Sequence, residues 1–251
     1  MPSRRAAQRM TPAELLFSQG FGTRRECAAL VANAMLEIEG VGVVRELDRE
    51  LDVAAAGLWF RVAGGERWPV RERAVVVLHK PVGFECSLKP GRHPSVYALL
   101  PAPLRARGVQ AVGRLDADTT GVLLFTDDGA LLHRLTSPKH HVAKVYDVGC
   151  KHPVDATQIE RLRAGVLLRD DDATVRAAAC EANGEHGLVL TLTEGRYHQV
   201  KRMVAAVGNR VDSLARTAFG PVRVDDLAPG QWRWLDRETE RALAGDPPAR
   251  A

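Results

Sequence analysis

The stretch Gly113-Arg114-Leu115-Asp116-Ala117-Asp118-Thr119-Thr120-Gly121-Val122-Leu123-Leu124-Phe125-Thr126-Asp127-Asp128-Gly129 joins a polar, glycine-bounded loop to a run of large apolar residues and then to a helix-start signal. Val112 and Leu115 can anchor such a loop in a core, while Gly113 and Gly121 permit backbone angles closed to other residues, so that Asp116 can be held at a cleft. Residues 122–126 read as a buried strand, and Asp127 or Asp128 as the N-cap of a helix over 130–135. From residue types alone, an acid on display and an ordinary Asp/Thr/Gly turn are equally good readings of the loop.

Around this stretch the chain alternates short strands with a few helices. Residues 74–79 form an apolar strand ended by the turn signal Lys80-Pro81-Val82-Gly83, and 145–150, 174–180 and 188–192 read as further strands. Asp155 caps a helix running to 163. Without regular strand-helix-strand alternation, the expectation is an α+β fold on a mixed, mostly antiparallel sheet flanked by helices. Upstream, Thr11 with Glu14 and Thr23 with Glu26 mark two short helices within residues 11–34, and 34–44 and 57–62 read as short strands. The organisation expected is a basic arm (1–10), a small domain (11–63), a linker (64–72), a larger domain (73–245) and a tail (246–251).

Composition narrows the class. With 251 residues, 45% of them hydrophobic, the chain can bury a sizeable core. Thirty-five Lys and Arg against 31 Asp and Glu leave a formal charge of +4, an excess resting mostly on arginine, which suits a phosphate-bearing partner. Four widely spaced cysteines, Cys27, Cys86, Cys150 and Cys180, form no zinc-ligand pattern and read as buried thiols of a reduced, cytoplasmic protein. No apolar run approaches the roughly 20 residues that span a bilayer, so no membrane partner is expected. His140-His141 reads as surface loop and Asp170-Asp171-Asp172 as a solvated turn; neither suggests a metal. The arm with Arg4, Arg5 and Arg9 reads as disordered and basic, and a monomer is the default expectation.

Three blocks in order carry a resemblance: the loop quoted above, Lys144-Val145-Tyr146, and Glu194-Gly195-Arg196-Tyr197-His198-Gln199-Val200-Lys201-Arg202-Met203. Together they resemble the RsuA-type pseudouridine synthase family, which acts on small-subunit ribosomal RNA. The resemblance implies an enzyme that isomerises a flipped-out uridine of 16S ribosomal RNA, at position 516 in the customary numbering, with ribosomal RNA as partner and no cofactor or metal. It assigns the carboxylate acting at the anomeric carbon to Asp116, the cation beside it to Lys201 with Arg202 as fallback, and the aromatic residue bordering the uracil to Tyr146. It implies further that Arg114 fills the vacated base stack, that Lys144 contacts phosphate, and that His198 and Gln199 belong to the pocket.

The 11–63 segment, in which Arg24 and Arg25 open the second helix, resembles the alpha-L RNA-binding motif of a small-subunit ribosomal protein. It departs from the family at Asn33-Ala34, where a glycine is usual. Two other activities fit parts of the pattern. A 23S-directed pseudouridine synthase shares the blocks, and Asp116-x-Asp118-x-Thr120 matches the loop of magnesium-dependent phosphatases, although Gly113-Arg114 interrupts the strand such a loop needs. A non-catalytic RNA-binding assembly protein would leave the filled catalytic positions without a use.

Overall fold

The computed structural model describes residues 9–53, 57–168 and 174–245. The chain divides into two compact units, Met1–Ala74 with Leu100–Val109, and Val75–Leu99 with Gln110–Ala251. Arg4, Arg5, the Asp170–Asp172 run and the 246–251 tail lie outside the described residues.

In the first unit, β1 (Arg9–Met10) is followed by helices α1 (Pro12–Ser18) and α2 (Arg24–Ala32). Each helix opens on a reciprocal capping box, Thr11 with Glu14 and Thr23 with Glu26. Each box satisfies two backbone donors that the first turn of a helix leaves orphaned. Strands β2 (Leu36–Ile38), β3 (Gly42–Val44), β4 (Leu51–Asp52), β5 (Trp59–Val62) and β6 (Trp68–Pro69) follow. A four-stranded sheet in the order β3-β2-β5-β6 packs Phe60 and Trp68 edge-on against Phe21, with ring centroids 5.2 and 5.4 Å away.

Two expectations change here. The 64–72 stretch, read as a linker, supplies β6, because Trp68 is apolar enough to be buried at 5% exposure and extend the sheet. The arm's last two residues are ordered, since β1 pairs with β4 and Arg9 meets Glu50 at 2.6 Å. Leu100–Val109, with helix α3 (Ala102–Ala106), joins this unit through Arg107, whose Nη1 donates to Gln19 Oε1 and the Arg71 carbonyl, each at 2.9 Å.

The second unit is built on strands β7 (Val75–Lys80), β8 (Gln110–Ala111), β9 (Thr119–Thr126), β10 (Lys144–Cys150), β13 (Ala179–Ala182), β14 (Gly187–Leu192), β15 (Val211–Phe219) and β16 (Trp232–Trp234), with the pair β11 (Val166–Leu167) and β12 (Thr174–Val175) apart. The sheet runs β13-β14-β10-β15-β9-β7-β16, with β8 pairing β9. Among the described strands of this sheet, only β9 and β15 are parallel neighbours, and the other pairs are antiparallel. Helices α4 (Gly129–Thr136), α5 (Ala156–Ala164), α6 (Gln199–Ala206) and α7 (Arg237–Ala244) complete it. One core cluster joins Val77, Val122 and Leu124 of the sheet to Leu135 of α4 and Leu243 of α7. The 174–180 segment is two short strands rather than one, and β15 is a central strand without an apolar run in the sequence. No helix among the described residues is long and apolar enough to cross a membrane.

Two backbone positions carry consequences. Ala34 closes α2 at φ +59°, the left-handed region that favours glycine, which gives a physical reason for the glycine usual there in the family it resembles. Gly121 has φ +104°, and a Cβ on it would collide with the backbone of Arg216, so its hydrogen side chain is what lets β15 lie against β9. Ala34→Gly is expected to stabilise the first unit by about 0.5–1 kcal/mol in urea unfolding. Gly121→Ala is expected to destabilise the chain by about 2–5 kcal/mol in the same measurement.

Candidate active site

Parallel neighbours begin at the same end of a sheet, so the segments leading into β9 and β15 arrive side by side. The first is the loop from Gly113 to Asp118, and the second follows helix α6. Residues 85 apart in sequence therefore meet: Lys201 Nζ donates to Asp116 Oδ2 at 3.1 Å. Of the two basic residues at that turn of α6, the one facing Asp116 is Lys201, while Arg202 Nη1 reaches the Tyr197 carbonyl at 3.5 Å. Val200, Met203 and Val204 are buried, which turns Lys201 toward the loop.

Lys201 is shared. Its ammonium donates to both Asp118 oxygens, at 2.6 and 2.8 Å, a closer pairing than the one with Asp116. Burial pulls the lysine down, but its hydrogen bonds to the Asp118 and Asp116 carboxylates together outweigh that and hold the ammonium above its ordinary value. The same hydrogen bond keeps the Asp118 carboxyl below the usual range. On the other side, His198 Nε2 lies 3.2 Å from Asp116 Oδ1, its ring stacked on Tyr197 with centroids 3.8 Å apart.

The loop's backbone is held from beneath by Lys80, fully buried at the end of β7. Its three N–H bonds serve the carbonyls of Thr119 at 2.8 Å and of Asp116 and Pro81 at 3.0 Å, with Ala117 at 3.4 Å sharing one. Gly83 N donates to the Ala117 carbonyl at 2.7 Å, so the turn read from Lys80-Pro81-Val82-Gly83 is also an anchor for the loop that follows 30 residues later. Burial holds the Lys80 ammonium below its usual value, with Cys86 and both loop aspartates acting against it.

A cleft of about 350 Å³ opens over this arrangement, lined by Arg114, Asp116, Lys144, Tyr146, His198, Gln199 and Lys201 among others. Seven residues singled out in the sequence thus come together. Arg114 is exposed at the cleft and forms no ion pair among the described residues. Tyr146 is nearly buried at 8% exposure. Lys144 is half-buried, its Nζ donating to the Val142 carbonyl at 2.9 Å, and burial pushes its pKa down to about 8 with Arg216 adding to the effect. Gln199 is a wall residue whose side chain bolts the preceding turn, donating to Glu194 Oε1 and accepting from Arg196 N, each at 2.8 Å. Arg24 and Arg25 are exposed at the start of α2 in the first unit, Arg24 lying 4.5 Å over the Phe17 ring. The four cysteines are free, three of them buried.

A carboxylate beside a lysine, a buried tyrosine and an exposed arginine around one cleft can take up an electron-poor carbon and a planar ring. Residues 74–206 match the RNA pseudouridylate synthase family. The chain belongs to that family. Two relatives named ribosomal small subunit pseudouridine synthase A agree: that of Pasteurella multocida is 43% identical over 69% of this chain and 75% of its own length, and that of Vibrio parahaemolyticus 42% identical over 86% and 91%. A crystal structure described as a pseudouridylate synthase, 33% identical, covers 93% of the chain and 99% of itself at a TM-score of 0.65.

Two residues at the synthase's site escape a reading of the sequence. Lys80 looks like part of a turn, and Arg216 sits in a strand whose polar residues hide its period; only strand pairing brings either to the loop. In the assembled sheet Leu190, Tyr146, Arg216, Gly121 and Lys80 are successive cross-strand partners, one transverse row beneath the cleft. Replacing Lys80 with methionine leaves buried carbonyls without a donor. Lys80→Met is expected to lower the unfolding free energy by about 2–4 kcal/mol, and amide exchange at Thr119 should accelerate more than in β10.

Proposed function

We propose that this synthase converts a single uridine of small-subunit ribosomal RNA, position 516 of 16S, to pseudouridine. The observation that carries this reading is the Asp116–Lys201 contact at 3.1 Å inside a cleft wide enough for one nucleotide, in a chain whose relatives are named for the small ribosomal subunit.

The chemistry follows from the side chains. The C1′–N1 bond of the target breaks with its electron pair going to N1, and the Asp116 carboxylate takes up the electron-poor C1′. The base turns, C5 bonds to C1′, the proton on C5 leaves and N1 gains one, so the product has the composition of the substrate. Asp116 acts as an anion, which a closing, desolvated cleft would oppose unless a cation stood beside it; Lys201 is that cation. Because Lys201 is also anchored by Asp118, Asp116 is not locked in a two-oxygen pair and keeps lone pairs for C1′. Tyr146 borders the base and relays the C5 proton through its hydroxyl. Arg114, exposed at the cleft, fills the gap left in the RNA stack, which offsets an unstacking cost of a few kcal/mol. His198 steadies Asp116 from the side opposite Lys201, Gln199 shapes the wall, Lys144 and Arg202 supply positive charge, and Arg24 and Arg25 of the first unit bind RNA phosphates as an alpha-L domain does. The protein works as a cytoplasmic monomer without metal or cofactor.

Carbodiimide mapping of ribosomal RNA from cells lacking the protein tests the target. The signal at position 516 should vanish and return with the wild-type chain but not with Asp116→Asn, whose rate in vitro is expected to fall at least about 10³-fold with RNA binding retained. Persistence of every pseudouridine in both subunits would overturn the proposal.

A further inference from the structure

Two cations in the inner wall of the cleft form no ion pair among the described residues. Arg216 is 2% exposed; its Nε donates to the Val122 carbonyl at 2.8 Å, while Nη2 is buried without a hydrogen-bond partner. Lys144 Nζ and Arg216 Cζ lie 5.2 and 5.3 Å from the centroid of the same Phe219 ring. Neither forms an ion pair among the described residues, and Glu194, the acid that Lys144 feels, is held by Gln199 at 2.8 Å and Arg196 at 3.3 Å. Two like charges set around an apolar ring are a standing destabilisation that an anionic ligand would relieve.

Depth decides which anion. The Asp116 side chain is 33% exposed and that of Lys201 27%, so Arg216, at 2% for the whole residue, lies further in than either. A nucleotide extruded from RNA enters base first, because its phosphates stay joined to the strand on both sides and remain at the mouth. What reaches the inner wall is the base. Tyr146 and Arg216 are cross-strand partners, so the residue that borders the base and the unpartnered guanidinium sit side by side in one sheet row.

We propose that Arg216 and Lys144 form the subsite for the uracil carbonyl oxygens O2 and O4 and stabilise the charge that collects there during the reaction. This rests on the isomerisation proposed above. When C1′–N1 breaks, the bond's electron pair goes to N1 and spreads onto O2 and O4; the charge is discharged once C5 has bonded to C1′, the C5 proton has left and N1 has taken one up. Positive charge fixed in a water-poor wall acts on that transient anion more than on the neutral base, which is the condition for lowering a barrier rather than tightening binding.

Single-turnover rates of N1–C1′ bond cleavage decide it, measured on a ribosomal RNA fragment carrying uridine or 5-fluorouridine at the target; the fluorinated base has no C5 proton to lose, so both fragments are scored by consumption of the target nucleoside, with RNA affinity measured in parallel. Conversion of the uridine fragment by the wild-type chain is the control that tests the isomerisation reading by itself. Arg216→Gln is expected to slow turnover by about 10²–10³-fold, with RNA affinity unchanged within about twofold and Arg216→Lys recovering about tenfold. Fluorine stabilises the departing anion on its own, so the defect of Arg216→Gln should shrink about tenfold on the fluorinated fragment. An equal defect on both fragments overturns the proposal, as does a loss that lies in RNA affinity, which would mean a phosphate contact. Should Arg216→Gln fail to fold, Lys144→Met is judged by the same comparison of the two bases.

Discussion

The parallel pairing of β9 with β15 is the constraint on which the rest of this enzyme depends. Among the described strands of an otherwise antiparallel sheet it is where two neighbours start together, and two of the sequence blocks sit just ahead of those starts. Antiparallel neighbours would have put the loop and α6 at opposite ends of the sheet. The pairing is tight, and Gly121 is what makes it possible: the glycine that ends the Asp116 loop is also where the β15 backbone comes too close for any side chain. Loop and strand are thus a single device, with Lys80 fastening the loop from the neighbouring strand on the far side.

Electrostatics refines this frame. The sequence offers two loop aspartates, and the resemblance gives the lysine to Asp116 alone. In the structure the lysine is bound more closely by Asp118, so that residue is the anchor of the cation as well as part of the loop. Most of the ion pair's geometric constraint falls on an exposed carboxylate, and the carboxylate in the cleft receives the field with fewer of its lone pairs taken.

How much of this the amino acids announce depends on whether a feature is local. Capping boxes at Thr11 and Thr23, the Asp128 and Asp155 caps, and the apolar run after Gly121 are written within a few residues, and they place helices and strands directly. Asp116, Tyr146 and Lys201 are legible because their blocks are. β15 is not, because Asp212, Ser213, Arg216 and Thr217 break its apolar pattern, and one of them, Arg216, faces the cleft. β6 is missed for a different reason: Trp68-Pro69 among glycines and charges has the composition of a connector, and only burial against Phe21 and Phe60 reveals a strand. Lys80 shows the limit most clearly, since a buried lysine whose partners are all carbonyls leaves no trace in the residue types of those partners.

The transverse row Leu190, Tyr146, Arg216, Gly121, Lys80 ties error detection to folding. Side chains alternate faces along a strand, so sliding β15 by one residue would turn Arg216 out of the cleft and leave the hydrophobic partners unmatched, all in one move. A molecule with its sheet in the wrong register therefore loses the inner wall of the cleft as well as the packing of its core, so the shape of the one reports on the soundness of the other.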